Sequence, residues 1–170
     1  PGVFVRLCDE QDQPTADGQP GEIQVKGDNV FSRYWNREKE TAEAFTDDGW
    51  FRTGDVAVLE HGYYRILGRN SVDIIKSGGY KISALEIEET LRLHPAVADC
   101  SVVGLPDEEW GETIAAVIVP TGDIDTDELK TWLRSRIPAY RTPRQFKIIE
   151  ALPKNAMGKT MKPEVKKLFQ

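Results

Sequence analysis

The chain has 170 residues and a formal net charge of −6, which suffices for one ordinary domain or two small ones with a real core. No apolar run approaches the roughly 20 residues of a membrane span, and the N-terminus lacks a secretory signal, so a cytoplasmic protein is expected. Two cysteines and two histidines lack metal-binding spacing, which favours buried free thiols and predicts no bound metal ion. Nucleic-acid binding is not expected, because no recognition helix or aromatic RNA motif is present.

The first third of the chain reads as antiparallel β structure. Short alternating runs, "VFVRL", "GEIQVKG" and "GWFRTGDVAVLEHGYYRILGR", are separated by Gly and Asp. One short helix is predicted within Arg37 to Phe45. The chain begins without an evident first element, as expected of a piece of a larger protein.

After Gly68 the pattern changes to mixed helices and strands. Ser83 to Glu86 form a capping box that opens a helix with Leu85, Ile87, Leu91 and Leu93 on its apolar side. "VADCSVVGLP" and "ETIAAVIVP" predict two paired strands. Asp125 or Thr126 caps a second helix with Leu129, Trp132, Leu133 and Ile137, ended by Pro138. A strand at Gln145 to Ile149 and a short basic helix follow, so the boundary between the two parts is predicted near Gly68 to Val72.

The C-terminal segment is basic although the whole chain is acidic. From Lys130 to Gln170 there are eleven Lys or Arg and two acids, a distribution that suits either an anion-binding surface or an ordinary solvated one. This segment contains "LPKNAMGKT", whose Gly-Lys-Thr resembles the end of a phosphate-binding loop. Pro153 occupies the position where that loop needs a glycine with a free N–H, so a P-loop is excluded.

Three other stretches have a functional and a structural interpretation. Asp55 in "FRTGD" is placed either to accept hydrogen bonds from ribose hydroxyls or to cap a turn. Gly78 and Gly79 permit close approach of a ligand, or form a hairpin turn. Trp110 in "PDEEWGE" either stacks on a base or packs in the core.

Taken together and in order, these stretches resemble the acyl-activating, adenylate-forming (AMP-binding) superfamily, which includes acyl-CoA synthetases, peptide-synthetase adenylation domains and luciferases. The resemblance rests on "GEIQVKGDNVFSRYWNREKETAEAF", "GWFRTGD", "GRNSVDIIKSGGYKISALEIEE" and "PKNAMGK", and it covers essentially the whole chain. Within the superfamily, malonyl-CoA synthetases look most similar. The resemblance implies an α+β fold, with the closing β-rich subdomain of a large domain at 1–68, a hinge at 69–72 and a small mobile domain at 73–170.

For the first half-reaction, the resemblance implies that a carboxylic acid and ATP form acyl-AMP and pyrophosphate. Lys159 matches the family lysine that contacts the acid and the α-phosphate, Asp55 the ribose-binding aspartate and Arg69 a nucleotide-binding arginine. Mg²⁺ is expected to accompany ATP, bound mainly by the large domain. The ATP-phosphate loop and the aromatic substrate motif of that domain are absent from this sequence, so the chain alone is expected not to adenylate.

For the second half-reaction, the resemblance implies that the small domain rotates and that the thiol of CoA displaces AMP. The residues matched to the pantetheine channel are Lys76, Gly78, Gly79, Tyr80 and Lys81. Those matched to the CoA nucleotide are Trp110, Tyr140, Arg141 and Arg144. The pivot is placed at Ser71 or Val72, because the link is one residue longer than in many relatives and Ser71 stands where Asp or Lys is usual.

The expected partners are the large N-terminal domain, a carboxylic acid and CoA. "PKNAMGK" also fits the context in which synthetases of the family are acetylated at the catalytic lysine, which implies a protein acetyltransferase and a deacetylase acting at Lys159. Two alternatives stay open: an adenylation domain that loads a carrier-protein phosphopantetheine, and a non-catalytic binding module of the same fold.

Overall fold

A computed structural model describes residues 2–170, and the chain divides into two compact units. The first unit ends at Ser71, and the second runs from Val72 to Gln170. Each unit contains its own β-sheet, and most of the helices belong to the second unit. The predicted α+β class is confirmed.

The first unit is built on a four-stranded antiparallel sheet with the strand order β1-β2-β3-β4. Its elements are β1 (Val3–Cys8), β2 (Gly21–Gly27), α1 (Glu38–Ala44), β3 (Phe51–Glu60) and β4 (Tyr63–Arg69). The predicted antiparallel strands and the short helix are therefore confirmed. Cys8 lies buried with a free thiol at the end of β1, as expected.

The second unit has a five-stranded sheet in which β6, β5, β8 and β7 follow one another and β9 pairs with β8 in parallel. Its elements are β5 (Ile74–Ser77), β6 (Tyr80–Ser83), α2 (Ala84–Arg92), β7 (Val97–Asp107), β8 (Gly111–Pro120), α3 (Thr126–Arg134), a 3₁₀ turn (Ala139–Arg141), β9 (Gln145–Ile148) and α4 (Lys162–Lys167). β7 and β8 pair along most of their length, as predicted.

Strand β8 is apolar on both faces because helices cover both. Ile114, Ala116 and Ile118 contact the core beneath α2 and α3, whereas Ala115 and Val117 belong to a second cluster with Val165 of α4. Alternate side chains of a strand point to opposite faces, so the unbroken apolar run "IAAVIV" is what such a covered strand requires.

Helices α2 and α3 begin where the sequence predicts, but both end earlier than predicted. Ser83 accepts a hydrogen bond from the Glu86 N–H, and Asp125 caps α3, as predicted. Leu93, predicted on the apolar side of α2, lies beyond the helix and is 74% exposed. Ile137 lies beyond α3, because the residue before a proline disfavours helical backbone, although its side chain still packs on the core.

Among residues 2–170, no helix is long and apolar enough to cross a membrane.

Candidate functional site

Asp55 and Arg69 lie opposite each other on β3 and β4 of the first unit. They are cross-strand partners, and Arg69 Nε lies 3.0 Å from Asp55 Oδ1. Both side chains reach solvent, with Arg69 61% and Asp55 35% exposed. The pair therefore presents a carboxylate and a guanidinium side by side at one end of the sheet.

An irregularity in β3 sets the direction of Asp55. The register between β2 and β3 shifts between Glu22 and Gln24, and Gly54 has a positive φ of 76°. The Gly54 N–H donates to Glu22 Oε1 at 2.8 Å, while Thr53 Oγ1 donates to the Ile23 carbonyl and accepts from the Asp55 N–H. A glycine adopts this backbone without strain, so the Thr-Gly-Asp order produces the bulge that positions the carboxylate.

Lys159 lies on an exposed loop of the second unit that one side chain organises. Asn155 Oδ1 accepts hydrogen bonds from the N–H groups of Met157 and Lys159, both at 3.0 Å. Gly158 has a φ of 77°, and a bridge between Lys154 and Thr160 closes the loop. Within residues 2–170, the Lys159 ammonium makes no ion pair. The loop thus holds the backbone of Lys159 while leaving its charge available.

Two further lysines fix this loop to the rest of the unit. Lys154 Nζ lies 3.0 Å from Asp99 Oδ2 of β7. Lys162, at the start of α4, is buried and lies 2.8 Å from Asp73 and 3.1 Å from Glu88. The loop is therefore anchored on both sides by ion pairs.

Gly78 and Gly79 form the two-residue turn of the β5–β6 hairpin. Ser77 pairs with Tyr80, and both glycines have positive φ, 57° and 81°, as a type I′ turn requires. The Gly78 N–H donates to the Trp110 carbonyl at 2.9 Å, and the indole lies against Gly78 so closely that a Cβ there would be 2.9 Å from it. The hairpin interpretation is correct, and the turn also supports Trp110.

Aromatic and basic side chains surround a cavity of about 250 Å³ beside this turn. Tyr80 and Tyr140 stack with centroids 4.7 Å apart, and the Arg144 guanidinium lies 4.7 Å from the Trp110 ring centroid. Lys130 and Arg134 of α3 also contribute to the lining. Flat rings and positive charges around one cavity suit a ligand with an aromatic base and phosphate groups.

The structure brings some of the predicted CoA residues to this cavity and leaves others out. Gly78, Tyr80, Trp110, Tyr140 and Arg144 line it. Arg141 does not, because its guanidinium pairs with Glu86 at 3.2 Å. Lys76, Gly79 and Lys81 belong to the hairpin but not to the lining.

Lys130 and Arg134 are lining residues that the motifs did not indicate. Their signal was present in the sequence as two basic residues four apart in a helix of the basic C-terminal segment. Without the position of α3 against the sheet, this spacing describes a solvated helix face equally well.

The Lys159 loop and the cavity lie towards opposite ends of β7. Asp99, near the start of this strand, pairs with Lys154 of the loop, whereas Asp107, at its end, accepts a hydrogen bond from the Trp110 N–H at 2.9 Å. An extended strand rises about 3.3 Å per residue, so these two anchors are separated by roughly 25 Å.

No group of three or more His, Cys, Asp or Glu side chains that could hold a metal ion occurs in the part of the chain that the structure describes.

The first unit thus presents an exposed carboxylate beside Arg69, and the second unit presents an exposed lysine on an ordered loop and a cavity lined by aromatic and basic side chains. Residues 86–159 match the family model of the AMP-binding enzyme C-terminal domain. Residues 86–159 are therefore a C-terminal domain of the AMP-binding, adenylate-forming enzymes, as the signatures predicted.

Similar proteins include CoA ligases of several kinds. A malonate–CoA ligase of Arabidopsis thaliana is 46% identical over 100% of this chain and 30% of its own length. ATP-bound MatB from Rhodopseudomonas palustris has a TM-score of 0.87 at 34% identity, with 99% of this chain and 34% of that one covered. The o-succinylbenzoate CoA synthetase of Bacillus subtilis, in complex with its acyl-adenylate, has a TM-score of 0.86 at 34% identity, with 97% and 34% covered. The chain thus spans about a third of the length of these relatives.

Proposed function

We propose that this chain is the C-terminal portion of an ATP-dependent acid:CoA ligase that forms an acyl adenylate and then an acyl-CoA. The observation that carries the proposal is the exposed, unpaired Lys159 on an ordered loop, in the same small unit as an aromatic and basic cavity. Malonate is the first candidate acid because malonate–CoA ligases are among the relatives, and a fatty acid is the second.

In the proposed first step, a carboxylate oxygen of the acid attacks the α-phosphorus of ATP and pyrophosphate leaves. Negative charge is redistributed around the α-phosphate during this displacement, and the compact ammonium of Lys159 stabilises it. Asp55 would accept hydrogen bonds from the ribose hydroxyls, with Arg69 beside the same nucleotide. Mg²⁺ would travel with ATP and be held mainly by the large N-terminal domain.

In the proposed second step, the thiol of CoA attacks the acyl carbon, a thioester forms, AMP leaves and the thiol proton is released. The Gly78–Gly79 turn with Lys76, Tyr80 and Lys81 would face the pantetheine arm, and the cavity would hold the CoA nucleotide. The Gly78–Gly79 turn contacts Trp110 at one end of β7, roughly 25 Å from the anchor of the Lys159 loop, so the turn and the loop would face the adenylate at different times. A pivot at Ser71 or Val72, between the proposed regions 1–68 and 73–170, would let each act in turn.

The test is acid-dependent ATP–pyrophosphate exchange by the full-length protein with malonate, acetate and longer fatty acids. We expect exchange with one acid and a loss of at least about 100-fold in Lys159→Ala. The matched control is Lys167→Ala, which removes an exposed lysine of the second unit that pairs with Glu164 and does not belong to this loop. Equal loss in both variants, or exchange with no acid, contradicts the proposal.

A carrier-protein substrate is the alternative that thiol kinetics distinguishes. Free CoA brings a nucleotide that the cavity would bind, whereas a carrier-bound arm does not. We therefore expect a far lower KM for CoA than for pantetheine. Equal values for the two thiols would favour the carrier-loading function.

The proposed function also includes a switch and a compartment. Acetylation of Lys159 by a protein acetyltransferase would remove the positive charge that the first step uses, and a deacetylase would restore it. Protein carrying acetyl-lysine at position 159 should lose exchange but keep thioester formation from a supplied acyl adenylate; unchanged exchange would contradict this role. A cytoplasmic location is proposed from the sequence features, and a fluorescent fusion of the full-length protein tests it.

A further inference from the structure

The cavity of the second unit contains positive charges that no acidic side chain neutralises. Within residues 2–170, Lys130, Arg134 and Arg144 make no ion pair. Most other basic side chains of this unit behave differently: Arg92, Arg141, Lys154 and Lys162 all pair with carboxylates. Uncompensated charges gathered at one cavity attract an anion.

The core of the unit determines which side of α3 faces the cavity. Leu129 and Leu133 are fully buried beneath the helix. Lys130 and Arg134 each follow one of these leucines, and residues four apart lie one above the other on a helix. The two charges therefore reach the cavity together, along a helix that the packing of two leucines holds in place.

We propose that Lys130 and Arg134 bind the phosphate groups of CoA and so make the second step selective for free CoA over the same pantetheine arm on a carrier protein. The inference rests on the proposed ligase function. Tyr80, Trp110 and Tyr140 supply ring faces for the base, and the basic pair supplies the contacts that only a phosphorylated nucleotide can use. Pantetheine contains neither group, and the phosphopantetheine arm of a carrier protein has one phosphodiester but no base and no 3′-phosphate, so both gain less from this cavity than CoA does.

The test compares the full-length protein with the double variant Lys130→Gln/Arg134→Gln in thioester formation from a supplied acyl adenylate. We expect the KM for CoA to rise roughly tenfold, with kcat at saturating CoA and the KM for pantetheine unchanged. The rise should shrink at high ionic strength because the two side chains are partly solvated. Dephospho-CoA, which lacks the 3′-phosphate, shows which phosphate the pair contacts. If the double variant raises the KM for dephospho-CoA less than the KM for CoA, the pair is assigned to the 3′-phosphate. If it raises both KM values equally, the pair is assigned to the 5′-diphosphate.

The matched control is Arg136→Gln. Arg136 lies just beyond the same helix, but its guanidinium stacks 3.8 Å from the Trp132 ring centroid and is not part of the cavity lining. It should leave both KM values unchanged. Equal rises for CoA and pantetheine, or no rise for either, overturn the inference. Absence of acid-dependent exchange in the unaltered protein would instead overturn the proposed ligase function, so the two failures are distinguishable.

Discussion

Gly78 is constrained twice, by its backbone and by its neighbour. Its φ is 57°, and a Cβ would lie 2.9 Å from the Trp110 ring, whereas Gly79 has a φ of 81° with open space around it. Gly78→Ala and Gly79→Ala should each lose about 1 kcal/mol of stability from the left-handed conformation. Only Gly78→Ala should also displace the indole and raise the KM for CoA.

Urea unfolding and the indole NMR signal of Trp110 measure these two effects separately. Gly79→Ala is the control for the backbone penalty. An unshifted indole signal in Gly78→Ala would mean that Trp110 does not depend on the missing side chain.

Cys100 links stability to pH through its buried thiol. Burial raises the pKa of the Cys100 thiol to about 12. An unfolded cysteine has a pKa of about 8.5, so above that pH the unfolded state releases a proton that the folded state keeps. The free energy of unfolding should therefore fall from about pH 8.5 upwards, and Cys100→Ala should abolish this part of the slope. Urea unfolding of both proteins between pH 7 and 10 measures it; a constant difference between them would contradict the assignment.

At the scale of the element, α4 depends on a buried charge at its start. Lys162 lies between the Asp73 and Glu88 carboxylates, and its side chain is only 9% exposed. Lys162→Met leaves the two acids without their shared cation and should destabilise the second unit by about 3 kcal/mol. Lys167→Met on the same helix removes an exposed pair with Glu164 and should cost less than about 1 kcal/mol. Urea unfolding compares the two variants; similar losses would show that the buried lysine has no special role.

Structural elements could be predicted from the sequence where the residues that determine them lie close together in the chain. The caps Ser83 and Asp125, the β7–β8 pairing and the turn at Gly78 depend on residues close together in the chain, and sequence patterns identified them or left two clear choices. Leu93 and Lys162 were not predictable in this way. Their exposure and burial depend on acids and strands that are distant in sequence. The same holds for the ion pair with Glu86 that Arg141, which the resemblance matched to the CoA nucleotide, makes in the structure.

At the scale of the molecule, the proposed function assigns two chemical steps to two ends of one small unit. If the ends work in turn, a variant at one end should affect one step only. Lys159→Ala should lower adenylation by at least about 100-fold but leave thioester formation from a supplied acyl adenylate unchanged. The double variant Lys130→Gln/Arg134→Gln should do the reverse, with a raised KM for CoA and normal pyrophosphate exchange.

Each step is measured on its own in the full-length protein, by pyrophosphate exchange and by single-turnover thioester formation. Arg136→Gln serves as the control for surface charge in both assays. If Lys159→Ala slows thioester formation as much as adenylation, the lysine loop and the cavity act together. The separation of roughly 25 Å along β7 would then have to be bridged by a change within the second unit itself, and not by a pivot at Ser71 or Val72.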